Sequence, residues 1–454
     1  MQLKNNKLLS EEEKLHILMD RVSHKELVKT AQRVDQFFHH FDKRFVDRGD
    51  LTQMIKLGMV TKSHTLFYGE PGTSKSGFVN TLLNNMTYSQ DFRIELNKFS
   101  KATDLFGGYD IPKYRETGDL EHKLKGTIAM ADMAYVGEFF NAHQSLHGTL
   151  HATLNERELV RGIQVVNLPL HMAILDSNIS PEDYLKVNAN GWAIVDRIAL
   201  IGHVPGIKDH GNMYRAMMKF QKGLHANNPM DVQLDYRDVL RLTAYVVYPD
   251  HLFTNPHLLQ IYSQAAIEYR DRRLEEFENR RNEGNLEGAF FPNITDRRII
   301  LSSQMAEAFA VLYGRTHVEP ADLVGGGHML CSCKWEWELW MKVIEDHLKE
   351  IADLMKNKKD MMVHDELFNI KDQLEKIDVD GVESNPEVTS LLEAKKKLDA
   401  LLDRMGFVQP TNIQLEDFKK TLIKSAKGMH DRLRDMSPKV LGFGINKFEE
   451  ENDL

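Results

Sequence analysis

The stretch His64-Thr65-Leu66-Phe67-Tyr68-Gly69-Glu70-Pro71-Gly72-Thr73-Ser74-Lys75-Ser76-Gly77-Phe78-Val79 decides the fold. Its first five residues are an apolar, β-favouring run and predict a strand. A glycine-rich turn follows, and Ser76-Gly77-Phe78-Val79 opens a helix. This strand–turn–helix order aims backbone N–H groups and the positive end of a helix at one point, which suits phosphate oxygens. In such a loop Lys75 pairs with the outer phosphates of a nucleoside triphosphate and the Ser76 hydroxyl ligates Mg²⁺. The predicted phosphate-binding residues are therefore Gly69, Glu70, Pro71, Gly72, Thr73, Ser74, Lys75 and Ser76, with Ser76 also the metal ligand. Ser74 stands where this loop usually has a glycine, and its small side chain still allows the backbone to approach.

Outward from this loop, strands are predicted at His64 to Tyr68, Phe92 to Leu96, Ala134 to Val136, His171 to Leu175 and Ile198 to Val204, alternating with helices. That alternation implies an α/β fold with a five-stranded parallel sheet covered on both faces. Residues 1–60 read as a helical leader, with helices at Glu11 to Met19 and Leu27 to Phe38, and 61–206 as the nucleotide-binding core. Residues 207–330 read as a helical lid whose clearest helix opens at the N-cap Thr295, with a second start at Glu319-Pro320-Ala321-Asp322. Residues 331–454 read as a helical hairpin or bundle. Its apolar seams are Trp337, Ile344, Leu348, Ile351 and Met355, then Leu391, Leu398, Leu402 and Met405. The break at Asp378-Val379-Asp380-Gly381 with Ser384-Asn385-Pro386 lacks the ligand spacing of a calcium loop and predicts a turn and a cap.

Four further signals follow the loop in order. Ala134-Tyr135-Val136-Gly137-Glu138 is a strand ending in a carboxylate, and Glu138 suits a base that activates water beside a γ-phosphate. The aspartate expected just before it, which would hold the Mg²⁺ water shell, is replaced by Gly137. Met172-Ala173-Ile174-Leu175-Asp176-Ser177-Asn178 ends in an amide, Asn178, suited to positioning that water. Arg197 precedes the last strand, and Asp296-Arg297-Arg298 opens the lid helix.

Together these signals resemble the MoxR family of AAA+ ATPases, and within it the RavA-like branch, over about residues 30 to 325. The resemblance extends to Lys98-Phe99-Ser100, Asp104-Leu105-Phe106-Gly107-Gly108, Leu154-Asn155-Glu156-Arg157, and Gly314-Arg315 with Val318-Glu319-Pro320-Ala321-Asp322-Leu323. It implies an AAA+ core, a helical lid, ATP and Mg²⁺ as cofactors, and a homo-oligomeric ring, typically a hexamer, with nucleotide between protomers. It makes Asn178 sensor 1, Arg197 the arginine finger, and Arg297 or Arg298 sensor 2, with Arg298 a nucleotide contact. It also implies an insert from Phe99 to about Lys125 facing the ring axis, and a protein partner, commonly one with a von Willebrand A domain. On this reading the chain is a chaperone-like remodelling ATPase. Gly137 leaves open a scaffold that binds nucleotide but hydrolyses it weakly, and related rings also act as nucleic-acid motors or defence ATPases.

Composition narrows these classes. With 58 Lys and Arg against 67 Asp and Glu the net charge is −9, which counts against a large nucleic-acid footprint. No run of about 18 apolar residues exists to span a membrane. The opening MQLKNNKLLSEEEK has no apolar stretch, so no secretory signal is expected. Two cysteines, Cys331 and Cys333, are too close to bridge readily, and a reducing cytoplasm fits. Near His328 they read as free thiols rather than half a metal site. His143, His147 and His151 share a helix face, read as polar surface or interface rather than metal ligands, and Trp335, Trp337 and Trp340 read as core.

Overall fold

The computed structural model describes residues 8–20, 22–161, 164–188, 191–222, 230–248, 252, 254–286, 288–289, 294–351, 358–384, 388–410 and 413–450. The five predicted strands form at Thr65–Tyr68 (β1), Asp91–Glu95 (β2), Met133–Gly137 (β3), Met172–Ser177 (β4) and Leu200–His203 (β5). They join in the order β2-β3-β4-β1-β5, every pairing parallel. The residues of β1, β3 and β4 are buried along their whole length. That is the burial a parallel sheet covered on both faces imposes. Leu66, Val136, Leu175 and Ile201 anchor the core over it, joined by Phe139, Leu146 and Leu150. Because all strands run the same way, their carboxyl ends open onto one edge, where a ligand crevice forms in such sheets.

The chain divides into two compact units, Met1–Lys349 and Glu350–Leu454. In the first, the leader helices Glu11–Met19, His24–Asp42 and Gly49–Val60 bury Phe37, Phe38, Phe41, Ile55 and Leu57. The lid helix Asp296–Leu312 is capped by Thr295, whose hydroxyl accepts from the Arg298 N–H. The helix Lys334–Ile351 belongs largely to this unit. Its Trp340 is fully buried beside Tyr262 and Tyr269, and its Glu336 makes a buried 2.5 Å ion pair with Arg273. Trp335 and Trp340 thus fill core, as their sequence context implies. The second unit packs the helices Lys358–Glu375, Val379–Ser384, Val388–Phe407 and Ile413–Glu450 through Leu367, Ile370, Leu398, Met405, Leu415 and Leu433. Asp378 caps Gly381, so this break is a turn into a helix. Met355, Asn385 and Pro386 lie outside the described residues. Among those residues no helix is long and apolar enough to cross a membrane.

Candidate nucleotide site

At the end of β1 the chain turns through Gly69, where an added Cβ would meet the Val204 carbonyl oxygen at 2.3 Å, so only glycine lets the loop pass β5. Ser74 takes the left-handed conformation, φ 67°, and the helix Lys75–Asn84 begins at once. That explains why glycine is usual here: an L-residue in this region costs about 1–2 kcal/mol. The loop walls a cleft of about 240 Å³ formed by Pro71 to Gly77 with Glu138, Asp176 and Asn178. Lys75 is 6% exposed, and its ammonium donates to the carbonyls of Gly69 (2.8 Å) and Glu70 (2.9 Å) and to Asn178 Oδ1 (2.9 Å). No ion pair to it forms among the described residues. Burial lowers its pKa, against the opposing pull of Asp176 and Glu138. A nearly buried cation held by neutral oxygens fits an anionic phosphate chain.

Glu138 also adopts the left-handed region, φ 53° and ψ 40°. One carboxylate oxygen accepts from Asn141 (2.7 Å) and the other from the Asn178 amide. Asn178 therefore bridges Lys75 and Glu138 through the two ends of one side chain. The structure thus brings together the phosphate loop, Glu138 and Asn178.

Gly137 is opposite Glu95 on β2. A Cβ on Gly137 would lie 2.0 Å from Glu95 Oε2 and 2.4 Å from its Cδ, so the Glu95 carboxyl fills the space a larger residue would need. Burial raises the Glu95 pKa; a hydrogen bond from Tyr135 opposes this, while Asp176 and Glu138 add to it. On the other side of Gly137 stands Asp176, 3% exposed, a residue the motif reading passed over. It accepts from Ser76 Oγ (3.0 Å), from the Tyr135 hydroxyl (2.8 Å) and from the Glu138 N–H (3.0 Å). The signal that would have found it is register. Val136 pairs with Leu175, so the next residues along, Gly137 and Asp176, end neighbouring strands together.

The arginines lie elsewhere. Arg197, Arg297 and Arg298 sit by the amino-terminal ends of the strands, whereas the phosphate loop leaves the carboxyl end of β1. The four-residue length of β1 and β5 puts about 13 Å between those edges. Arg197 donates to the Ala193 carbonyl (2.8 Å), and the exposed Arg297 to Asn155 Oδ1 (2.5 Å). Thr295 bonds Asp196 at 3.1 Å, which ties the lid helix to the segment carrying Arg197. Arg298, expected to touch nucleotide, does not reach the cleft. It is 2% exposed and donates to the carbonyls of Ile198 (3.1 Å), Ala199 (3.1 Å) and Met329 (2.7 Å). Its guanidinium is spent clamping the lid to the start of β5.

His147 is buried, with its ring nitrogens on the Phe139 carbonyl (2.8 Å) and the Tyr184 hydroxyl (2.9 Å), and His143 caps its helix. Nothing is described of the His151 side chain. Cys331 and Cys333 are free, and no cluster of His, Cys, Asp or Glu fit for a metal ion occurs among the described residues.

Residues 32–226 match the family model of the MoxR domain in MoxR–vWA–beta-propeller ternary systems. Two uncharacterized proteins of Methanocaldococcus jannaschii are each 22% identical to this chain. One match covers 81% of this chain and 87% of the relative, the other 88% and 94%. A structural protein of Acidianus two-tailed virus is 24% identical over 132 residues, 28% of this chain and 21% of its own. A crystal structure of a candidate ATPase from Cytophaga hutchinsonii shares the fold, with a TM-score of 0.50 over 72% of this chain and 96% of that one at 18% identity. The matched stretch holds the phosphate loop, Glu138, Asn178 and Arg197.

Proposed function

We propose, from a MoxR-type AAA+ domain as premise, that this protein is a ring-forming ATPase that spends ATP hydrolysis on remodelling a partner protein. The observation that carries the reading is the split of the site across the sheet. Lys75, Ser76, Glu138 and Asn178 converge at one edge, while the half-buried Arg197 and the exposed Arg297 lie near the other. A protomer so built holds nucleotide with one edge and can complete a neighbour's site with the other. Bound Mg²⁺ would neutralise charge on the β- and γ-phosphates, with Ser76 as its protein ligand.

Lys75 exchanges its carbonyl partners for phosphate oxygens, and Asn178, no longer bridging, orients the attacking water. Glu138 accepts the proton of that water. Arg197 of the next protomer meets the charge that develops on the γ-phosphate, a contribution worth about 10³ to 10⁵ in rate. Arg297 is the sensor-2 arginine and acts across the same interface. The run from Asp296 to Leu323 supports the RavA-like branch. The ternary systems in which the matched domain type occurs support a partner with a von Willebrand A domain. The net charge of −9 argues against a nucleic-acid motor. A nucleotide-gated scaffold with weak hydrolysis is the second reading, and it draws on Gly137.

The test compares steady-state turnover and solution mass, with and without ATP, for the wild type and Glu138→Gln. Assembly on ATP together with turnover that the variant lacks is the expected result. Equal turnover in the two proteins sinks the ATPase and leaves the scaffold.

A further inference from the structure

We propose that Asp176, at the carboxyl end of β4, does the metal-positioning work that an aspartate at position 137 would do, so that this acid is transposed to the neighbouring strand. The proposal rests on the ATPase reading above and names a residue that reading lacks. The geometry is specific. Asp176 Oδ2 accepts the Ser76 hydroxyl proton at 3.0 Å, so the Ser76 lone pairs are left to face a cation over the loop. Asp176 Oδ1 accepts the Glu138 N–H at 3.0 Å, which fixes the left-handed turn that presents the general base. One nearly buried carboxylate therefore links the metal ligand of the phosphate loop to the residue that activates water.

An acid at position 137 would require the Glu95 side chain to swing aside. The Glu95 carboxyl fills the volume, and Tyr135 closes it off, its hydroxyl 3.0 Å from Glu95 Oε1 and 2.8 Å from Asp176 Oδ2. Glu95 itself meets Tyr135 rather than Ser76, so of the three carboxyls here only Asp176 bonds the metal-ligand hydroxyl. A merely structural Asp176, a buried acid that holds the Glu138 turn, would show no link to metal. The metal dependence of nucleotide binding separates these two roles.

The probe is a fluorescent N-methylanthraniloyl ADP, titrated in excess Mg²⁺ and in EDTA, with no hydrolysis involved. In the wild type the Mg²⁺ condition binds more tightly. Asp176→Asn is expected to lower that ratio by about 10- to 100-fold, the usual effect of removing a partner that orients a metal ligand. Its affinity in EDTA should stay within about twofold of wild type, and Glu138→Gln should keep the ratio. An unchanged ratio in Asp176→Asn overturns the transposition while the ATPase reading stands. A wild type that binds no nucleotide overturns both. If Asp176→Asn does not fold, E95A/G137D/D176T, which moves the acid back to β3 with room cleared, is compared with E95A/D176T, which has none. The Mg²⁺ ratio should survive in the first and vanish in the second; equal ratios overturn the proposal.

Discussion

Arg298→Met and Arg297→Met should part company completely, although the residues are adjacent and both were candidates for one role. The Arg298 guanidinium supplies hydrogen bonds to three carbonyls at 2.7 to 3.1 Å in a site closed to water. A buried acceptor stripped of its donor costs about 1–3 kcal/mol, so three cost about 6 kcal/mol at the midpoint. Methionine also relieves the burial of a cation. That burial pulls the Arg298 pKa from 12.5 to about 10. At about 1.36 kcal/mol per pKa unit the relief is about 3 kcal/mol. The difference, about 3 kcal/mol, lowers the melting temperature by about 4 °C for a unit of about 350 residues. Arg297 is exposed with one bond to Asn155, so its methionine variant should melt within about 1–2 °C of wild type, as surface substitutions do. Its ATP turnover should fall at least about tenfold, the effect of removing a charge that acts in the transition state. Calorimetry and steady-state turnover on both variants check this. Arg298→Met with an unchanged melting temperature and no turnover would refute the clamp and return Arg298 to the nucleotide.

His64 donates from Nε2 to the Leu154 carbonyl and accepts at Nδ1 from the Ala173 N–H, so the folded ring is neutral, and burial with nearby Arg157 pushes its pKa down to about 3. Unfolded histidine takes its proton near pH 6.5, so the stability from this ring is complete above that pH and is lost at about 1.4 kcal/mol per unit as pH falls toward 3. His64→Gln keeps a donor and an acceptor without titrating, and its urea-derived stability should fall less steeply below about pH 6; parallel curves for the two proteins would show that the ring protonates in place. Ser74→Gly should raise the melting temperature by about 1–2 °C, because relief of about 1–2 kcal/mol of left-handed strain exceeds the entropy cost of glycine; a lower value would mean the loop does not hold that conformation. Arg197→Ala should bind nucleotide normally and hydrolyse none, yet regain turnover when mixed with Glu138→Gln, since some interfaces then pair an intact Glu138 with an intact Arg197. Silence in the mixture would place the finger inside one protomer.

Most of the sheet was legible because its strands carry the signal that parallel strands must carry. Leu66-Phe67, Tyr135-Val136 and Ile174-Leu175 are apolar on both faces, and turn residues bound each run. The phosphate loop was legible for a different reason: its residues act through the backbone, so sequence order alone places them. Arg298 was not, because nothing local distinguishes a buried arginine from an exposed one. Its partners at Ile198, Ala199 and Met329 are about 30 and 100 positions away. Leu154-Asn155-Glu156-Arg157 had no visible purpose in the sequence. In the fold, Asn155 receives Arg297, and Arg157 donates to the Leu170 carbonyl (2.8 Å), which braces the start of β4.

What sequence alone leaves open at Gly137 has the same physical root. A motif assigns a role to a position along one strand, but the chemistry asks only for a carboxylate within reach of the Ser76 hydroxyl. In a parallel sheet the ends of adjacent strands lie about 4.8 Å apart at the same level, so either strand can present that acid to the same loop. Gly137 and Asp176 occupy such neighbouring ends, and Glu95 fits beside Gly137 because that residue has no side chain. On this geometry the glycine is the consequence of a relocation and leaves the metal shell its carboxylate. The capacity for hydrolysis then depends on Asp176 and Glu138 as a bonded pair, and a scaffold without turnover would have to lose that pair.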